Sequence, residues 1–331
     1  MEGATGIDVS MLKGKKLLNM DSEEEGVMLA SCAGGCRADV KLPVERETVS
    51  GTKLTVSLSG LTGGHSGSEI DKGRGNANTL MSRLLRDAAA PVAIASIDGG
   101  RKDNAIPREC TAQIIVAPDE AAAVKASIEQ AAAEIAEEFK ASDPDLKLAV
   151  SEETDCSESA ISAKDSARVI ALIEALPNGI IRMSREIDKL VETSLNLGVL
   201  KSDAAAVTLR YAVRSSVGVA KKSLKNQLVC IAGAFAAEVT FEGDYPAWEY
   251  KKDSKLREDM VRIFEEMYGK KPTVEAIHAG VECGLLSGKI EGLDCISMGP
   301  DMYDIHTTEE RLSISSAKRS YEYILRVIAC K

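Results

Sequence analysis

The chain has 331 residues, of which 44% are hydrophobic and 28% charged, and its formal net charge is −10. That length is a prior for about two domains with a sizeable core. The acidic balance argues against a nucleic-acid binder, which needs a basic face, and against a polybasic membrane anchor. No run approaches the roughly 18 apolar residues of a membrane span, and MEGATGIDVS has no basic stretch leading into an apolar core, so no signal peptide is read there. Aromatic residues are 4% of the chain, which leaves the packing to Leu, Ile, Val and Ala. The eight cysteines are scattered in apolar surroundings and are expected to be reduced thiols of a cytosolic protein. Cys32 and Cys36 of CAGGC have zinc-like spacing, but no second pair follows at matching distance.

In chain order, residues 16–20 and 27–32 read as short buried strands around an acidic turn, Asp21 to Gly26. KLTVSLSGL alternates as a half-buried strand does, and the Gly-rich turn TGGHSGSEIDKGRG leads to a helix over about 76–90. Strands are expected at 92–98 and 110–117. A helix opens at Pro118-Asp119-Glu120 and runs to about Lys140, its acidic residues lying where the helix dipole favours them. A loop and strand follow in DPDLKLAVSEE. A second, similar series begins near Lys164: a helix, a turn at Pro177-Asn178-Gly179, strands at 191–200 and in AAVTLRYAVRS, a helix over 219–237, and a strand at 238–241. Residues 50–245 therefore read as two related α+β units of antiparallel strands backed by helices. Beyond Tyr245 come a helix (SKLREDMVRIFEEMYG), a buried strand (LDCISMGP) and a closing amphipathic helix (AKRSYEYILRVIA). The outer segments read as one α/β domain into which the middle is inserted.

Three histidines are present, and each has a bland alternative. His65 of GGHSG lies among glycines that let a ligand or another backbone approach, or else is a turn residue capping a helix. His278 of IHAGVECG is expected to satisfy orphan amides at the start of a short helix. His306 of DIHTTEERL follows a strand and loop, where an α/β domain places its ligands. There is no nucleophile elbow, no H-E-x-x-H and no phosphate-binding glycine loop. What remains is a set of carboxylates and histidines at strand ends, suited to Zn²⁺, Mn²⁺ or Co²⁺.

The order LLNMDSEEEG, CAGG, LPVERE, GLTGGHSGSEIDKGRGNAN, DGGRKDNAIPRE, PNGIIRMS, VETSLNLG, IHAGVECG, ISMGP and HTTEERL resembles the Xaa-His dipeptidases, members of the dinuclear-zinc exopeptidases that include carboxypeptidase G2. The resemblance runs the whole length of the chain. It implies an α/β fold: a partial zinc-exopeptidase catalytic domain, mixed sheet with flanking helices, at 1–48 and 246–331, and an inserted α+β lid of two related units at 49–245. It implies that Asp21 and His306 are metal ligands, one for each of two zinc ions. His65 would polarise the scissile carbonyl from the lid, and Asn104, Arg214 and the backbone at Gly280 would bind substrate. A guanidinium suits the carboxylate that ends a dipeptide. Glu23, Glu24 and Glu25 are read as solvated turn and helix-start charges, and Glu309 and Glu310 as surface charges.

The family's H-x-D, bridging Asp and Glu-Glu motifs are absent from this sequence, which resembles a family member without about its first third. The chain alone is therefore expected to hold at most one metal ion, weakly, and to lack peptidase activity. Its outer segments are expected to expose an apolar edge. The other reading is a non-catalytic binding or dimerisation module. The implied partners are a dipeptide and a second copy joined through the lid, in the cytoplasm, with no nucleic acid and no membrane.

Overall fold

The structure is a computed structural model that describes residues 2–305 and 308–330. A short helix α1 (Glu2–Gly6) precedes strands β1 (Lys16–Asn19), β2 (Val27–Cys32), β3 (Gly34–Pro43), β4 (Arg46–Ser59) and β5 (Gly64–His65). Next come α2 (Ala77–Arg86), β6 (Ala93–Gly99), β7 (Ala105–Ile106), β8 (Cys110–Val116), α3 (Ala121–Phe139) and β9 (Lys147–Ile161). They are followed by α4 (Ala163–Ala175), β10 (Gly179–Met183), β11 (Val191–Ser202), β12 (Ala206–Ser215), α5 (Gly218–Ala234) and β13 (Glu238–Tyr245). The chain closes with α6 (Lys255–Tyr268), β14 (Thr273–Ile277), α7 (Glu282–Lys289), β15 (Asp294–Ser297) and α8 (Ile314–Ala329).

Local chemistry explains the boundaries. Asn76 caps α2 by accepting from the amides of Asn78 and Thr79. That helix ends at Arg86, four residues short of the expected end, because Pro91 disfavours helical backbone just before it. Ser162 and Ser254 cap α4 and α6 in the same way.

Nine strands form one antiparallel sheet in the order β13-β3-β12-β11-β6-β8-β4-β9, with β10 beside the start of β11. The order contains a duplication. β4-α2-β6-β8-α3-β9 makes the arrangement β6-β8-β4-β9, and β3-α4-β11-β12-α5-β13 makes the equivalent arrangement β11-β12-β3-β13. Two residue pairs, Leu200↔Gly99 and Lys201↔Asp98, join the units. The first strand of the second unit, β3, thus precedes the whole first unit in the chain. Sequence reading missed β3 because it opens on glycines that look like loop. From Cys36 to Leu42 it alternates buried Cys36, Ala38, Val40 and Leu42 with more exposed Arg37, Asp39 and Lys41, which is a strand signal. Strands β10 and β14 were missed too. The helices pack on the sheet through Leu, Ile, Val and Ala, with Leu54, Leu84, Ile114, Ile128 and Leu228 fully buried.

The outer segments form a four-stranded mixed sheet, β1-β15-β2-β14, covered by α6 and α8. Its core joins Met28, Met260, Phe264, Ile296 and Tyr323, and the Tyr323 hydroxyl donates to the Met260 carbonyl at 2.6 Å. A two-way backbone bridge between Cys32 and Trp248 ties the strand that leaves this sheet to the segment that returns. On the far side of α8, Ile314, Tyr321, Leu325 and Ile328 are exposed at helical spacing. Among the described residues no helix is long and apolar enough to cross a membrane. No cysteine is disulfide-bonded, six of the eight are buried, and burial pushes the Cys36 thiol up to about 11.

The acidic turn departs from expectation at one residue. Glu23 and Glu24 are exposed, but Glu25 is held by both ends of the Arg319 guanidinium, at 2.7 and 2.5 Å, and its amide donates to Asp301. Arg319 was out of view because it lies 294 residues away. The bidentate pair holds the Glu25 carboxyl below its ordinary range. Its contribution is therefore present above that range and is lost as pH falls through the lowered value. Glu25→Gln should cost about 1 kcal/mol at neutral pH and flatten the acid limb of stability. Urea midpoints at pH 7 and pH 3 check this, and equal midpoints for the two proteins at pH 7 would refute it.

Candidate functional site

The site is built on a two-stranded ribbon and the β11–β12 pair. Strands β5 and β7 pair antiparallel, with Gly64 opposite Ile106 and His65 opposite Ala105. This brings His65 beside Asn104, whose carbonyl accepts from the Ser66 amide at 2.9 Å. The loop is pinned by Glu69, which accepts from the His65 amide at 2.8 Å and from Arg74 at 2.9 Å. The Nδ1 atom of His65 accepts from the amides of Gly67 and Ser68, at 3.2 and 3.1 Å. Its proton therefore sits on Nε2, which is left as a donor. Partial burial, then the nearby Arg214 charge, lowers the His65 pKa, so the ring is neutral at pH 7. The ring closes the turn with one nitrogen and leaves the other as a donor.

Arg214 lies on β12 opposite Ser194 of β11. It is 8% exposed, its Nε has no partner, and Nη1 reaches only the Tyr245 hydroxyl at 3.5 Å. No carboxylate forms an ion pair with it among the described residues. Arg214, Asn104, Tyr245, Cys36, Arg37 and Asp103 line one cleft of about 280 Å³.

His278 corrects the sequence reading. It follows β14 and does not cap α7, whose N-cap is Val281. Instead its Nε2 meets the Ser194 hydroxyl at 2.7 Å, with both side chains buried. Burial, then the Arg214 charge, pushes its pKa down to about 3. A Cβ at Gly67 would stand 2.6 Å from the His278 carbonyl and 2.9 Å from the His65 ring, so glycine lets the His65 loop lie against the His278 loop. Gly280, half-buried, is two residues further along that loop.

His65, Asn104, Arg214 and the Gly280 loop are thus brought together. Asp21 is not. It is exposed beyond the end of β1, which runs parallel to β15, whereas β14 runs parallel to β2 and β15 is antiparallel to β2. Asp21 and Gly280 therefore leave opposite ends of the small sheet, a strand length apart, on the order of 15–20 Å. His306 lies outside the described residues. Among the described residues no group of three or more His, Cys, Asp or Glu side chains is arranged to hold a metal ion. The described residues by themselves do not make up a metal centre. Sequence reasoning missed Ser194, Asn196 and Tyr245. Polar residues at alternate positions of a buried strand, in VETSLNLG, were the available signal.

Residues 56–143 match the family model described as "Peptidase dimerisation domain" of the M20 type. The crystal structure of aminoacylhistidine dipeptidase from Vibrio alginolyticus superposes with a TM-score of 0.91 at 32% identity, covering 99% of this chain and 68% of that one. The chain belongs to the M20 peptidase family. The cytosol non-specific dipeptidase of Escherichia coli (strain K12) is 34% identical over 320 residues, which is 96% of this chain and 66% of the relative. This M20 chain thus spans about two thirds of the length of either relative, and the remaining third of each has no counterpart in it.

Proposed function

We propose that this chain is the substrate-gripping part of a metal-dependent M20 dipeptidase that cleaves Xaa-His dipeptides. The observation that carries this reading is Arg214: a buried guanidinium with an unpaired Nε and no carboxylate partner, beside an open cleft. A buried charge without a partner is costly, and the carboxylate of a dipeptide would supply one. Asn104 lines the same cleft. His65 would direct Nε2–H at the carbonyl oxygen of the scissile bond, where a neutral imidazole donates as negative charge develops. The backbone at Gly280 would contact the bound peptide. The nine-stranded sheet with its helices, broadly residues 49–245 with β3 added, is read as the lid over an α/β catalytic domain formed by 246–331 and the part of 1–48 that precedes β3. The match to a dimerisation domain supports a homodimer joined through the lid, and the name of the Escherichia coli relative accords with a cytosolic setting.

In this reading the family resemblance assigns Asp21 and His306 to one each of two metal ions of the full-length enzyme, zinc by preference and Mn²⁺ or Co²⁺ as alternatives, which would supply Lewis-acid and water-activating chemistry there. In this chain, however, Asp21 lies at the other end of the small sheet from the Gly280 loop. A catalytic zinc takes about three protein ligands, and the H-x-D, bridging Asp and Glu-Glu motifs that would supply the others are absent from this sequence. The chain alone is therefore expected to bind at most one zinc ion, weakly, and to leave β-alanyl-histidine intact. Metal content and hydrolysis, measured on the purified chain with zinc or manganese added, test this. Two tightly held metal ions and turnover would overturn the division of labour proposed here.

A further inference from the structure

The stretch SLNLG of β11 has no role in the chemistry described above, yet its residues touch the loops that carry Asn104 and Gly280 and pair with the strand that carries Arg214. Ser194 and Asn196 lie on one face of the strand, because strand side chains alternate. Ser194 bonds His278, two residues from Gly280, and stands opposite Arg214. Asn196 is 1% exposed, and its Nδ2 donates to the carbonyls of Asp103 at 3.0 Å and Ala105 at 2.8 Å, the two that flank Asn104. Its Oδ1 accepts from Asn76, the residue that caps α2. At 198 the strand bulges, and a Cβ there would meet the Asp103 carbonyl oxygen at 2.4 Å, so only glycine lets the ribbon seat.

Around Asn104 the backbone is fully held. Its carbonyl takes the Ser66 amide, its own amide donates to the Asp103 carboxylate, and that carboxylate also takes Arg37. The exposed Asn104 side chain is thus a polar group on an immobilised backbone. Since β5 is paired to β7, what fixes Asn104 also fixes His65.

We propose that Asn196 is a positioning residue: by bridging the carbonyls on either side of Asn104 it sets the stance of Asn104 and His65 relative to Arg214, while Ser194 does the same for the Gly280 loop. This rests on the reading of Asn104 and Arg214 as substrate-binding groups. Asn196→Ala would free both carbonyls and let the ribbon drift from the strand pair that anchors it.

Amide hydrogen exchange on the whole chain tests the structural half without a ligand. In Asn196→Ala the amides of Ser66 and Ala105 should exchange at least about tenfold faster, while those of Leu195 and Val213 in the β11–β12 ladder keep their protection. Unchanged exchange in the ribbon, or loss spread over the ladder, overturns the inference. If the alanine variant folds poorly, Asn196→Ser, whose hydroxyl reaches one carbonyl at most, should give an intermediate rate. Calorimetric titration with β-alanyl-histidine tests the functional half. Asn104→Ala and Asn196→Ala should each weaken binding about tenfold, and the double variant no more than either alone. Additive losses would mean that Asn196 acts elsewhere. An Asn104→Ala protein that binds as well as the parent, or a parent that does not bind the dipeptide, would remove the reading of the site and leave the exchange result to decide the positioning role.

Discussion

Replacing Arg214 by methionine should weaken dipeptide binding by about 100-fold or more and, in the same protein, raise the melting temperature. The two effects have one cause. Arg214 is buried, its Nε has no partner among the described residues, and its Nη1 makes only a long approach to the Tyr245 hydroxyl. Desolvating a charge without a counter-ion costs several kcal/mol, and an apolar residue of similar volume avoids that cost. Methionine keeps most of the side-chain volume, so Tyr245 retains a neighbour and no large cavity opens. The folded chain should gain on the order of 1–3 kcal/mol. The loss in binding follows from the same geometry, since a carboxylate entering the cleft would find no guanidinium, and a buried charge-assisted pair broken on one side costs about 2–5 kcal/mol. Arg214→Lys is the sharper control. A single ammonium cannot reproduce the fork, so binding should fall while the burden of a buried charge remains. Calorimetric titration with β-alanyl-histidine, paired with thermal melts, reads both quantities. A variant that melts lower and binds as well as the parent would mean that Arg214 is a structural cation and that the cleft is not the carboxylate site.

Much of the fold was legible because its signals are local. The alternation from Lys53 to Leu61, the caps of α2 and α4 and the helical periodicities all lie within a few residues of the elements they specify. The duplicated α+β rhythm was legible for the same reason. The pairing of the units was not. Strand β3 belongs to the second unit but precedes the first, so its partners β12 and β13 lie more than 160 residues away, and nothing local marks them. The site divides along the same line. His65, Asn104 and Arg214 could be named from motifs, and the structure gathers them at one cleft and its adjoining ribbon. His278 was taken for a helix cap because its neighbours spell a short helix. Its actual partner, Ser194, is 84 residues away on another sheet. Glu25 was taken for a solvated charge because Arg319 lies on the last helix. Where a polar residue's partner is remote, sequence supplies the residue type, and the fold decides whether it is solvent-facing, structural or poised for a ligand.

Acid should destabilise this chain in a window above the carboxylate range, and His278 should account for most of it. The ordinary histidine pKa is 6.5, and burial with the Arg214 charge beside it holds His278 at about 3, with His65 acting in the same direction and Asp71 opposing. Below about pH 6.5 the unfolded chain takes up a proton at this position that the folded chain refuses, so stability is fully present above 6.5 and falls as pH is lowered towards 3. Between pH 7.5 and pH 5 the loss from this one group should be about 2 kcal/mol. Glu25 acts in the same sense but in a lower window, because its folded carboxyl is held below the ordinary 4.5, so the two contributions separate on the pH axis. His65, half-buried, adds a smaller slope of the same sign as His278, which makes the difference between proteins the proper readout. His278→Gln keeps a polar atom within reach of Ser194 and removes the titration. Urea unfolding at pH 7.5 and pH 5 should therefore show the variant losing about 2 kcal/mol less than the parent over that interval. An equal loss in both proteins would mean that the folded chain protonates His278 freely. The loop carrying Gly280 would then not be shut against the strand pair that carries Arg214.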